Sequence, residues 1–217
     1  DLSKAELIRN PPLVLTRRLV SSPTAGVFDP LSVLTPVMLR AKLLLRESWS
    51  IDNEVLGWDD ALPEALKQKW IEFFILMFDL ESITYERALT PPGETSGRPW
   101  LIIFSDGALV SFGCCGYIRW RLADGTFWCR LIMAKGKIAP KCRATIPRME
   151  LSGATLQVRL ERFIKEYTRI DFERTLHLVD SSTVLGYLHK DNGSFKPFEG
   201  VRIAEIQSCS RYQDGSL

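Results

Sequence analysis

Paired cysteine motifs, histidine-based nucleophile pairs, long apolar runs and any strong excess of one charge are all missing from this chain of 217 residues. Its five cysteines show no C-x-x-C spacing, and Cys114 and Cys115 are adjacent. That argues against a disulfide framework or a zinc site and fits a reducing compartment. The two histidines, His177 and His189, have no nucleophile nearby in sequence. His177 reads as a packed strand residue, and His189 as a partner for a helix C-terminus. A net charge of +2 permits a nucleic-acid partner without requiring one. The most apolar window, around Phe73 to Phe78, is far too short to span a bilayer. No signal-peptide pattern, internal repeat or low-complexity segment stands out. Neither end carries a structural stop, so the sequence reads as a piece of something longer.

What is present suits a globular protein of one large or two small domains, with 46% hydrophobic and 25% charged residues. The first half reads as helical and irregular. Pro23, Pro30 and Pro36 punctuate an early loop, and Pro36 starts a helix through Leu45 to Trp49. Asp59 and Asp60 precede a second helix from Pro63 to about Phe78. There Leu66, Trp70, Phe73, Phe74 and Met77 recur at helical spacing and read as core. The Pro/Gly-rich stretch from Thr90 to Pro99 is the candidate linker. It divides a segment 1–95 from a domain 96–217.

Strands dominate afterwards. Leu101 to Ser105, Ser111 to Arg121 and Thr126 to Met133 form an antiparallel set, with Asp124 and Gly125 as the second turn. Pro147 opens a helix striped by Leu156, Leu160, Phe163, Ile164 and Tyr167. Thr175 to Val179 is a fourth strand, followed by short helices over Ser182 to Leu188 and Phe198 to Ile206. The expected fold class is α/β with a mixed sheet, its first strand central and its fourth parallel beside it after the helical crossover.

Three acidic residues occupy chemically suggestive places in that scheme. Asp106 follows the first strand, Glu150 lies at the start of the long helix, and Asp180 follows the fourth strand. Singly, each suits a turn or a helix dipole. Jointly, two neighbouring strand ends and a helix start let the carboxylates converge, an arrangement costly without a cation to neutralise it. Two Mg²⁺ or Mn²⁺ ions held there would activate water and stabilise the leaving 3′ oxygen of a phosphodiester.

Ser105-Asp106-Gly107-Ala108, Ile146-Pro147-Arg148-Met149-Glu150-Leu151 and Val179-Asp180-Ser181-Ser182-Thr183-Val184-Leu185 resemble the ribonuclease H domain of BEL/Pao-type retrotransposon polyproteins. Leu131 to Pro140 and Val201 to Gln207 extend the likeness. Upstream, Val27 to Pro36 and Arg40 to Leu44 resemble the end of the same polyprotein's reverse transcriptase. The resemblance implies a ribonuclease H-like domain over 96–217, preceded by a mainly helical thumb or connection segment. Asp106, Glu150 and Asp180 would be its catalytic and metal-binding carboxylates. Its substrate would be an RNA/DNA hybrid, its partners the remaining reverse transcriptase and integrase, and its location the cytoplasm or a virus-like particle, with no membrane contact. The family's fourth carboxylate lies in a downstream Asn-Pro-Ala-Asp-like segment that the sequence does not reach. Gly107-Ala108-Leu109 stands where relatives carry Ser or similar, and Val201 where they carry Asn.

Between the third strand and Glu150 lie Lys135, Lys137, Lys141, Arg143 and Arg148, with no acidic residue among them. They form either a ridge that holds a phosphate backbone or a solvated loop, and the resemblance favours the ridge. Ser105, Ser181 and Ser182 are polar enough to donate to substrate, although serines at strand ends ordinarily cap. Two function classes therefore stand side by side. One is a two-metal endoribonuclease acting on the RNA strand of hybrids. The other is a truncated or decayed, non-catalytic fold that keeps nucleic-acid binding. The Asp–Glu–Asp order differs from the two strand aspartates before a helical Glu that a DNA-transposing integrase requires. No Asp-Thr/Ser-Gly motif supports a peptidase.

Overall fold

The computed structural model describes residues 3–51, 54–142 and 144–209. They form two compact units. One takes the described residues up to Pro30 together with Pro36–Arg87, and the other takes Leu31–Thr35 with the residues from Ala88 onward.

The first unit is mainly helical. In α1 (Lys4–Arg9), Ser3 and Glu6 satisfy each other's backbone N–H groups in a capping box. Thr16 caps α2 (Arg17–Ala25) by accepting the Leu19 N–H. Pro23, expected in a loop, lies inside α2. Its fixed φ is helical, and near the end of the helix the donor it lacks costs only one bond. α3 (Thr35–Glu47) stops two residues short of Trp49. The Trp49 ring instead stands 4.2 Å from the buried Arg17 guanidinium, which Trp58 flanks at 5.1 Å. β1 (Ser50–Ile51) pairs antiparallel with β2 (Glu54–Val55). In α4 (Glu64–Asp79), Trp70 and Phe73 are wholly buried and meet edge to face at 5.6 Å, as core residues at that spacing should.

The second unit holds a four-stranded mixed sheet. β3 (Trp100–Gly107), β4 (Ser111–Arg121) and β5 (Phe127–Ile138) form an antiparallel meander. β6 (Arg174–Val179) then joins β3 in parallel, giving the order β5-β4-β3-β6. The Asp124 carboxylate closes the β4–β5 turn by accepting both the Thr126 N–H and hydroxyl. The stretch Thr90–Pro99 is pinned to this unit, since the Ser96 N–H donates to the Arg121 carbonyl and the Ala123 N–H to the Glu94 carbonyl.

α5 (Ile146–Tyr167) is the crossover from β5 to β6 and is buried on two sides. Leu156, Leu160 and Ile164 pack on Leu101, Ile103 and Ile118 of the sheet. Leu151, Ala154 and Val158 pack on α6 (Ser182–Leu188) and α7 (Pro197–Cys209) through Val184, Ile203 and Ile206. A helix covered on two faces needs an apolar surface wider than one stripe, which explains the near-continuous burial from Met149 to Leu160. Phe163 and Tyr167, expected in the stripe, fall on its exposed side. Cys114 is buried, and that burial pushes its thiol up to about 12, as suits an inert core residue. Among the described residues, no helix is long and apolar enough to cross a membrane.

β5 runs five residues beyond the expected Met133 and contains a bulge. Gly116 faces Met133 but Tyr117 faces Leu131, so Ile132 is the extra residue. A single inserted residue reverses which face every later side chain takes. The bulge thereby turns Lys135 and Lys137 to the sheet face that carries α5, opposite Cys114 and Phe112.

Candidate active site

Two glycines let the three acidic segments meet. A methyl group on Gly107 would overlap the Met149 carbonyl carbon and the Glu150 nitrogen, so only glycine allows the end of β3 to rest on the first turns of α5. A methyl group on Gly153 would come within 2.8 Å of the Asp106 carbonyl oxygen. The parallel ladder between β3 and β6 ends at the pair Ser105 and Val179. Asp106 and Asp180 therefore follow immediately on adjacent strands.

Glu150 is tied to this edge by one hydrogen bond. The Ser181 hydroxyl donates to Glu150 Oε2 at 2.6 Å, and Ser181 follows Asp180 directly. Asp106 Oδ1 accepts the Gly107 N–H at 2.6 Å. Asp106 and Asp180 are exposed and Glu150 is half-buried. Asp106 belongs to the even-numbered set of β3, on the face away from α5, with Phe104 at 43% exposure. Glu150 comes from the helix on the other face, so the strand end is the place where the two approach. Among the described residues, no group of three His, Cys, Asp or Glu side chains stands together closely enough to hold a metal ion.

The donor set nonetheless suits a hard divalent cation. It consists of carboxylate oxygens alone, and no ion pair among the described residues engages Asp106, Glu150 or Asp180.

The basic residues divide. Lys135 and Lys137 lie in the cross-strand rows of Ser105 and Gly107, through Cys114 and Phe112. That puts them level with the acidic edge and two strand spacings away, about 10 Å. They are strand residues, not loop residues. Lys135 places its ammonium 4.8 Å from the centre of the Phe163 ring. Lys137 and Lys141 are exposed. Arg148 is engaged elsewhere: it pairs with Glu199 of α7 at 2.9 Å and lies 4.8 Å from the Phe198 ring. Arg143 lies outside the described residues.

Three polar features escaped the sequence reading. Gln157, only 1% exposed, reaches from α5 to β3 and β6. Ser181 is a cap, as expected of such a serine, yet it also holds Glu150. His177 meets Glu161 at 2.8 Å, and Glu161 also pairs with Lys165 at 2.6 Å. Burial opposes ionisation of Glu161, but the hydrogen bonds from His177 and Lys165 outweigh it and hold the carboxyl at about 2. A polar residue within a buried helical run was the available signal for Gln157. Nothing local marks the other two partners.

The family model described as the Pao retrotransposon-like RNaseH-like domain matches residues 16–181. No curated protein matches the chain. A solved structure titled Prototype Foamy Virus Protease-Reverse Transcriptase (native) aligns at 13% identity with a TM-score of 0.29, covering 87% of this chain and 22% of that one. The chain thus spans about a fifth of that structure's length, 22%.

Proposed function

Because the chain belongs to the Pao retrotransposon RNase H-like family, we propose that its sheet edge cuts the RNA strand of RNA/DNA hybrids with the help of divalent cations. The supporting observation is the meeting of three acidic segments at one edge, none of them in an ion pair among the described residues: β3 end on α5 start, and Ser181 on Glu150. Asp106, Glu150 and Asp180 are the residues that would hold Mg²⁺ or Mn²⁺, two ions in all. A divalent cation supplies activation of the attacking water and neutralises charge developing on the phosphodiester. Ser181 orients Glu150, and Lys137 and Lys141 hold the sugar-phosphate backbone. Hybrid recognition rests on groove shape and 2′-hydroxyls. The reaction adds water across the bond from phosphorus to the 3′ oxygen, which leaves with a proton. The setting is a retroelement polyprotein with reverse transcriptase and integrase segments.

A second reading has its own support: the three carboxylates do not form one metal-binding group among the described residues. On that reading the fold binds nucleic acid without cutting. Incubating the chain with a labelled RNA/DNA hybrid and Mg²⁺ or Mn²⁺, beside Asp106→Asn and Glu150→Gln, separates the two. The nuclease reading expects cutting by the parent chain alone. Equal cutting by all three, or by none, rejects it.

A further inference from the structure

Gln157 sits on α5 between Leu156 and Val158, with only 1% of its surface exposed. A buried amide is costly unless its donors and acceptor are satisfied. Here they are. Its Nε2 donates to the Ile103 carbonyl of β3 at 2.5 Å and to the Leu178 carbonyl of β6 at 3.3 Å. Its Oε1 accepts the Ser105 hydroxyl at 3.2 Å. The two carbonyls only accept, so they hold the NH2 end of the amide toward the strands, and the Ser105 hydroxyl donates to the oxygen that remains.

The amide therefore lies across the seam between the two parallel strands, just before the acidic residues. The ladder there ends at Ser105 and Val179, so no backbone pair joins Asp106 to Asp180. β3 continues through Asp106 and Gly107 against β4. Among the described residues β6 is an edge strand, paired with β3 alone. An apolar side chain of equal volume would fill the same space but leave the buried Ser105 hydroxyl without its acceptor, at a cost of about 1–3 kcal/mol. It would not tie the two carbonyls together.

We propose that Gln157 is a positioning residue: its side-chain amide, anchored on the two strand carbonyls and on Ser105, sets the separation of the β3 and β6 ends and hence of Asp106 and Asp180 for divalent-cation binding. This role rests on the metal-site reading above. Small errors in ligand placement are costly at such sites, where supporting hydrogen bonds typically govern affinity tenfold or more.

The test is a Mn²⁺ titration of the full chain without nucleic acid, reading free Mn²⁺ by electron paramagnetic resonance. The variants are Gln157→Met, Ser105→Ala and their combination, with Asp106→Asn as the metal-site reference. Gln157→Met is expected to weaken Mn²⁺ binding about tenfold or more, at a temperature where its circular dichroism matches the parent. Hybrid binding without divalent metal should stay unchanged, which a general loosening of the fold would not leave so. Ser105→Ala is expected to weaken Mn²⁺ binding less, and the double variant no more than Gln157→Met alone. Parental Mn²⁺ affinity in folded Gln157→Met overturns the positioning role. Should that variant not fold, parental affinity in Ser105→Ala overturns it. If Mn²⁺ binding is present in the parent and lost in Asp106→Asn, the metal site stands whatever Gln157 does. If the parent binds no Mn²⁺, both ideas fall together.

Discussion

Ser181 donates its hydroxyl to the Glu150 carboxylate at 2.6 Å while accepting the Val184 N–H at 3.2 Å. One side chain thus starts α6 and steers the acid from α5. Removing it should have two separable effects. Ser181→Ala loses a helix cap, a cost of about 1 kcal/mol visible in thermal unfolding. It also frees Glu150, so single-turnover hybrid cleavage should fall tenfold or more. Ser181→Thr keeps the hydroxyl and should restore most of the rate. Cleavage by Ser181→Ala at the parental rate would show that Glu150 needs no such partner.

Gly107 carries a backbone constraint rather than a chemical one. Any side chain there meets the Met149 and Glu150 backbone, which cannot move aside as a flexible side-chain tip could. Gly107→Ala is expected to cost roughly 3 kcal/mol or more in urea unfolding and to abolish cleavage. Ala108 next to it is exposed, so Ala108→Ser should change stability by under about 0.5 kcal/mol. A Gly107→Ala protein as stable as the parent would contradict the packing described.

The contrast between these residues explains how much the sequence could disclose. The β3–β4–β5 meander was legible because Asp124 and Gly125 mark a turn between strand-like runs, and α4 because its aromatics keep helical spacing. Asp106, Glu150 and Asp180 were legible as a series because each sits at an element boundary. The end of β5 was not, since the bulge at Ile132 inserts one residue without a composition signal. Lys135 and Lys137 therefore lie within β5 and not beyond its expected end at Met133. α2 was hidden by Pro23, whose usual meaning is a break. Partnerships across elements, such as Arg148 with Glu199 or Gln157 with two strands, depend on tertiary placement that no local pattern encodes.

That tertiary placement separates two basic residues that look alike in sequence. Arg148 is committed to Glu199 and Phe198. Arg148→Ala should cost about 1–3 kcal/mol of stability through the lost charged hydrogen bond. Lys137 is exposed and carries no ion pair among the described residues. Lys137→Ala should leave unfolding unchanged but weaken hybrid binding and reduce the slope of log affinity against log salt by roughly 0.7–0.9. Equal salt slopes for Lys137→Ala and the parent would remove Lys137 from the nucleic-acid surface.

Glu161 should govern part of the acid response. Its carboxyl titrates at about 2 in the folded protein against an ordinary 4.5. Between those values the unfolded chain binds more protons, so falling pH favours unfolding. The stabilisation from Glu161 is whole above pH 4.5 and gone below about 2. Glu161→Gln keeps one acceptor oxygen where the parent offers separate oxygens to His177 and Lys165, and it loses the charge. It should therefore be less stable than the parent at pH 7 and should show a shallower loss of stability across that acid window. Parallel stability curves for the two proteins from pH 6 to about 2 would assign the acid response to other groups.

The acidic edge itself should be a stability liability that metal relieves. Asp106 and Asp180 end adjacent parallel strands, Glu150 starts the helix beside them, and no ion pair among the described residues offsets their charge. Without divalent cations, like charges placed on neighbouring segments repel. Asp180→Asn removes one charge at nearly constant shape, and Asp106→Asn still offers an oxygen to the Gly107 N–H. Each should raise Tm on the order of 1–3 °C in EDTA at neutral pH. The gain should shrink in 1 M NaCl, where screening acts within about 3 Å. Millimolar Mn²⁺ should raise the Tm of the parent but of neither variant, because only the full carboxylate set rewards binding. Unchanged Tm values in EDTA, together with no Mn²⁺ effect on the parent, would mean that the three acids do not share one electrostatic site.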